Sequence, residues 1–118
     1  MKLIIAGGRD FTDTGLLISS LVKLVENNKI PEYPELVCGM ARGADMLAYN
    51  LWAANRMPIH IFKPDWDTYG KSAGYKRNVE MGQFADVAVC FWDGKSKGTK
   101  HMVDIMERMN KPVYVIRY

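Results

Sequence analysis

Paired glycines with a basic neighbour occur three times in this chain: Gly7, Gly8 and Arg9; Gly39, Arg42 and Gly43; Gly94, Lys95, Lys97 and Gly98. Glycines let a backbone approach a ligand with no Cβ in the way, and a helix that follows at once aims its free N–H groups at the same place. Phosphate is the usual occupant of such a turn, and an arginine beside it can add a bidentate, charge-assisted contact. The stretch VCGMARGAD, Val37 to Asp45, has the whole device: an apolar run, a glycine turn and an immediate helical pattern. Asp45 falls in the first turn of that helix, where it either complements the helix N-terminus or accepts a ribose hydroxyl. Thr99 closes the third loop. None of the three is a P-loop, because Gly94 to Gly98 is one residue short and no Gly-Lys-Ser/Thr follows, and no G-x-G-x-x-G is present. Trp66 and Tyr69, in a polar loop, are candidates to stack on a base. His60 reads as a packed histidine, and His101 has no serine or cysteine nucleophile placed to make a triad.

These loops need a scaffold that brings them together, and the apolar pattern supplies one. Continuous apolar runs at Leu3–Ala6, Leu36–Cys38, Ile59–Phe62, Val87–Trp92 and Pro112–Ile116 are the mark of strands buried on both faces. Between them, helical spacing appears after Thr12 or Asp13 (Leu17, Leu21, Leu24, Val25), after Gly43 (Ala44, Leu47, Ala48, Leu51), from about Lys71 to Phe84, and after Ser96 or Thr99 (Met102, Val103, Met106, Met109). Strand and helix alternate, which predicts an α/β fold: a five-stranded parallel sheet with helices on both faces. In such a sheet the ligand sits outside the carboxyl ends of the strands, where the winding reverses. If the first and fourth strands are central neighbours, GGRDF and DGKSKGT face each other there. Lys63, Lys71, Lys76, Arg77 and Lys100 fall on the same edge, which favours a small anionic ligand. The loop KPDWDTYGKSAGYKRN is too long for a simple connection, and loops of that length usually have a function.

At 118 residues and 48% hydrophobic composition, the chain fits one domain, residues 1–118, with a buried core. The net charge of +3 comes from interspersed residues, so the total gives no support to a non-specific nucleic-acid or membrane-surface role. Cys38 and Cys90 lack C-x-x-C spacing and read as small core side chains of a reducing compartment. No metal site, cofactor motif, signal peptide or membrane span is signalled, and a cytoplasmic protein is expected.

Four stretches in order, GGRDF, CGMARGADMLA, PDWDTYGKSAGYKRN, and AD followed by FWDGKSKGT, resemble the YspA/cpYpsA-related branch of the SLOG superfamily across nearly the whole chain. The resemblance implies a Rossmann-like three-layer sandwich that binds or senses a nucleotide or nucleotide-derived ligand, and an assembly of two or more copies. LOG-type phosphoribohydrolases of the same superfamily carry P-G-G-x-G-T-x-x-E, to which Gly98 and Thr99 correspond. The position of their essential glutamate is Met102 here, and a thioether cannot move a proton. Arg77 resembles the arginine of their second motif, with Glu80 or Asp93 the remaining carboxylates that could substitute. Enzymatic cleavage of a nucleoside monophosphate is therefore an alternative to binding. A third reading comes from DprA-type proteins, whose S-G-x-A-x-G-I-D resembles Cys38 to Asp45 and implies single-stranded nucleic acid. The short form of this chain does not favour it.

Overall fold

The computed structural model describes residues 1–118 and contains five strands and five helices. They are β1 (Lys2–Gly7), α1 (Thr14–Glu26), β2 (Glu35–Cys38), α2 (Ala44–Ala54), β3 (Ile59–Ile61), α3 (Trp66–Tyr69), α4 (Ala73–Phe84), β4 (Val87–Trp92), α5 (Lys97–Arg108) and β5 (Val113–Arg117). The sheet is wholly parallel in the order β3-β2-β1-β4-β5, with Leu3 opposite Leu36 on one side and Val87 on the other.

Each continuous apolar run feeds two cores, because successive side chains leave opposite faces of a strand. Leu3 and Ile5, Leu36 and Cys38, and Val87, Val89 and Phe91 pack with Leu17 and Leu21 of α1 and with Ala44, Ala48 and Trp52 of α2. Ile4, Val37, Ala88 and Cys90 pack the other way, against Met81 of α4 and Met102, Val103 and Met106 of α5. The methionines of α5 are thus core. This is the parallel sheet covered on both faces that the alternation predicts, and the Rossmann-like three-layer sandwich that the resemblance implies.

Local chemistry sets the helix ends. Asp13 caps α1 by accepting from the Leu16 N–H at 2.9 Å, and Ser96 caps α5 through the Thr99 N–H at 3.4 Å. Lys111 closes α4: its ammonium donates to the carbonyls of Gly82, Gln83 and Ala85 at 2.7, 3.0 and 2.7 Å. Several boundaries differ from expectation: β1 and β2 begin one residue early, and β3 ends at Ile61, one residue before Phe62. The helix expected from about Lys71 begins at Ala73, and the polar loop before it folds as α3 and a 3₁₀ turn over Gly70–Ser72. Asp65 caps α3 by accepting from the Thr68 N–H at 3.1 Å, and Gly70, at φ +55°, ends it. The last strand starts at Val113, one residue late, because Pro112 has no N–H and contributes only its carbonyl, to Ala88 at 3.0 Å.

The chain winds outwards from β1 through β2 to β3, then returns to place β4 on the other side of β1. The winding reverses between β1 and β4, so the loops after Gly7 and Trp92 part at that point and open a crevice above the sheet.

Candidate functional site at the carboxyl edge of the sheet

The crevice is a cleft of about 420 Å³. Its lining includes Gly7, Gly8, Arg9 and Asp10 from the loop after β1, and Ala41 and Asp45 from the turn into α2. α4 contributes Arg77, Asn78 and Met81, and the β4–α5 connection contributes Asp93, Ser96, Gly98, Thr99 and Met102. A second lobe of about 420 Å³ adjoins it, sharing Arg9, Ala41 and Arg77 and adding Gly39, Met40, Arg42, Lys63, Pro64 and Trp66. Chain segments far apart in sequence converge here because parallel crossovers deliver every strand-to-helix loop to one edge.

The glycines divide by role. Gly43 lies behind the site, at φ +82°, where a Cβ would collide with the Gly8 carbonyl oxygen. That oxygen also accepts from the N–H groups of Phe11 at 3.2 Å and Ala44 at 3.4 Å. The N-terminus of α2, which its sequence made the leading phosphate cradle, thus spends an N–H on the protein's own loop. Gly7 is packed just as closely: a Cβ there would stand 2.6 Å from the Phe91 carbonyl oxygen. Gly98 is the opposite case, with nothing within 4 Å of the position its Cβ would take. The N–H groups of Lys97 and Gly98 have no protein acceptor, so the free helix N-terminus at the cleft is that of α5. Thr99 is buried beneath it and shares a 3.1 Å hydroxyl contact with Ser96.

Arg77 is held in place by its neighbours. Its Nη1 donates to the Gly39 carbonyl at 2.6 Å and its Nε to the Asn78 side-chain oxygen at 2.9 Å. The Asn78 amide donates in turn to the Gly98 carbonyl at 3.4 Å and lies 3.4 Å from His101 Nδ1. Arg77 is thereby tied to the first turn of α5. The ion pairs of the structure are His60–Glu35 and Lys100–Asp104, so Arg9, Arg42, Lys63 and Arg77 have no carboxylate partner.

The carboxylates at the cleft differ. Asp93 is held below the usual carboxylate range by the N–H groups of Ser96 and Lys95, each 2.8 Å from Oδ1, and it folds the loop. Asp10 accepts from the Tyr118 hydroxyl at 2.7 Å. Asp45 is 5% exposed, and burial raises its carboxyl to about 6 despite the Arg77 charge and the Ala41 N–H. The two thiols are buried and inert, with burial pushing Cys38 up to about 11 and Cys90 up to about 12.

The structure brings Gly7, Gly8, Arg9, Asp45, Arg77, Asp93, Gly98 and Thr99 to the main cleft, and Gly39, Arg42 and Trp66 to the adjoining lobe. Gly43, Gly94, Lys97, Tyr69 and Glu80 line neither. Gly94, at φ +87°, backs onto the Arg117 guanidinium, Glu80 is exposed on α4, and the Tyr69 ring carries Lys76 at 4.7 Å over its face. Trp66, 53% exposed, is the aromatic at the site. Met102, in the place of the LOG-type glutamate, does lie in the cleft wall. Sequence reasoning missed Asn78, although a polar residue three before Met81 on the buried stripe of a helix was a readable signal.

No helix is long and apolar enough to cross a membrane, and no group of three His, Cys, Asp or Glu side chains could hold a metal ion. The chain is 33% identical over 119 residues to the Gene 61 protein of Mycobacterium phage D29, covering 95% of this chain and 93% of that one. No solved structure matches it. The YspA, cpYpsA-related SLOG family model matches residues 1–69, which hold the loop after β1, the turn into α2 and Trp66, and the chain belongs to that family.

Proposed function

We propose that the protein binds a nucleotide or nucleotide-derived ligand across the two lobes, as a sensor or carrier without turnover. The observation that carries this reading is the set of unpaired cations at the crevice: Arg9, Arg42, Lys63 and Arg77 surround it without a carboxylate partner. In this reading the phosphate lies on the open N-terminal turn of α5 at Gly98 and Thr99, with Arg77 and Arg9 beside it, and the base extends toward Trp66. Membership of a SLOG family supports a nucleotide-related ligand in general. Met102 in the cleft wall supports binding over hydrolysis, because the side chain there can neither donate nor accept a proton.

Phosphorus NMR of the protein mixed with a panel of ribonucleotides tests this reading. Broadening of one nucleotide with no new resonance is the expected result. A ribose 5-phosphate signal that grows with time would replace it with a hydrolase, and an unchanged spectrum for every nucleotide would remove it. Arg42→Ala is expected to weaken binding about tenfold, the equivalent of ~1.4 kcal/mol.

A further inference from the structure

Asp45 stands out among the carboxylates of the cleft because it is buried with only weak backbone donors and no side-chain partner. Asp10 has the Tyr118 hydroxyl and Asp93 has two short backbone bonds, whereas Asp45 has one long bond, from the Ala41 N–H to Oδ2 at 3.4 Å, with weaker approaches from the backbone N–H groups of Gly7 and of Asp45 itself and no side-chain donor. Arg77 comes close enough to act on its charge but does not reach ion-pair distance, its guanidinium being taken by Gly39 and Asn78. No polar side-chain atom in the structure is both sealed from solvent and without a partner, so Oδ1 of this buried group keeps contact with solvent at the cleft that Asp45 lines. A buried carboxylate with only weak backbone donors is a cost to the fold unless a ligand adds a stronger one.

The surroundings select the donor. An ammonium would meet Arg9 and Arg77, and a divalent cation would find no set of three ligands. A hydroxyl donates without bringing charge. Gly39 leaves the space beside the carboxylate open, since a Cβ there would stand 3.0 Å from Oδ2. A sugar held by its phosphate at Gly98 presents its hydroxyls within the same cleft, which is lined at its other side by Asp45.

We propose that Asp45 selects the sugar: it accepts the 2′-hydroxyl of a ribonucleotide and makes the site specific for ribonucleotides over 2′-deoxyribonucleotides. This rests on the nucleotide reading above. A deoxyribose leaves the carboxylate buried and unpaired, and a site built to hydrogen-bond a hydroxyl rejects the analogue that lacks it far more strongly than lost contact alone would.

Isothermal titration of the full chain with the four ribonucleoside 5′-monophosphates and their 2′-deoxy counterparts tests this, alongside Asp45→Asn, which keeps the shape and removes the charge. The expected result is at least tenfold tighter binding of one ribonucleotide than of its deoxy form, falling to within about twofold in Asp45→Asn. Equal affinities for the two sugars in the wild-type protein would overturn the selection and leave nucleotide binding standing, with no dependence on whether the variant folds. Equal losses for both sugars in Asp45→Asn would reduce Asp45 to a structural residue and overturn it too. Binding of neither series would overturn the nucleotide reading and this inference together.

Discussion

Arg77 Nη1 donates to the Gly39 carbonyl at 2.6 Å, joining α4 to the end of β2 across 38 residues. The bond holds the guanidinium short of ion-pair contact with Asp45, so the cleft keeps an unpaired cation and an unpaired carboxylate close together. Gly39 permits this by having no side chain: a Cβ would stand 2.8 Å from Arg77 Nη1 and 3.0 Å from Asp45 Oδ2.

Gly39→Ala therefore displaces the guanidinium without straining the backbone, because the φ of residue 39 is not positive. Nucleotide affinity by titration calorimetry is expected to fall at least tenfold, with urea unfolding changed by about 1 kcal/mol or less. A variant that binds as tightly as wild type would show that Arg77 does not position the ligand.

Gly43 and Gly98 should separate folding from binding. Alanine at Gly43 meets both a positive φ and the Gly8 carbonyl oxygen, and is expected to destabilise the protein by about 2 kcal/mol or more. Alanine at Gly98 meets nothing, and should leave stability unchanged or raise it by about 0.4–1 kcal/mol by restricting the unfolded chain. Its methyl group would still occupy the space a phosphate needs, so Gly98→Ala should keep the melting temperature and lose affinity. Retained affinity would move the phosphate away from α5.

Which parts of this were legible in the sequence follows from which features are periodic. β1 and β4 read plainly because strands buried on both faces, such as Leu3–Ile5 and Val87–Phe91, have no polar alternation to confuse with another pattern. The alternation of elements predicted the parallel sheet, whereas the pairing of β1 with β4 that places the winding reversal entered as a condition, which the strand order meets. α3 did not read, because four residues hold no period and its ends depend on the Asp65 cap and the Gly70 turn. The glycine loops were visible, but spacing cannot say which side of a glycine faces the ligand. Gly43 and Gly98 look alike in sequence, and only packing makes one a close approach of backbone to backbone and the other an open surface. Asp45 was visible as a first-turn carboxylate, whereas its burial depends on α2 lying against β1.

Lys111 is the clearest case of a charge used for folding. Its ammonium satisfies three carbonyls at the end of α4, groups the helix cannot pair for itself. Lys111→Met keeps the length of the side chain and removes the donors, and should cost about 2 kcal/mol in urea unfolding. Nucleotide affinity should not change, because Lys111 lines neither lobe. A loss of less than about 0.5 kcal/mol would mean that solvent satisfies those carbonyls equally well.

Asp45 should make stability depend on pH in the direction opposite to a paired carboxylate. Burial raises its carboxyl from the ordinary 3.8 to about 6, so the folded protein holds that proton more tightly than the unfolded chain does. The resulting stabilisation is complete below about pH 3.8 and is lost as the pH rises through about 6. Above that range the ionised carboxylate costs the fold ~3 kcal/mol by the linkage relation. The groups beside it do not add a transition of their own there: Arg77 stays charged, and Cys38 titrates near 11. Asp45→Asn is therefore expected to raise Tm by several degrees at pH 8 and to change it little at pH 4, measured by circular dichroism without ligand. Equal shifts at both pH values would show that the carboxylate does not titrate in this window. With a saturating ribonucleotide the gap at pH 8 should narrow by about 1.4 kcal/mol for each tenfold by which the wild-type protein binds more tightly than the variant, because the ligand donates to the carboxylate and gains less from the amide. A carboxylate whose cost to the empty protein shrinks when ligand is bound is one that contacts that ligand.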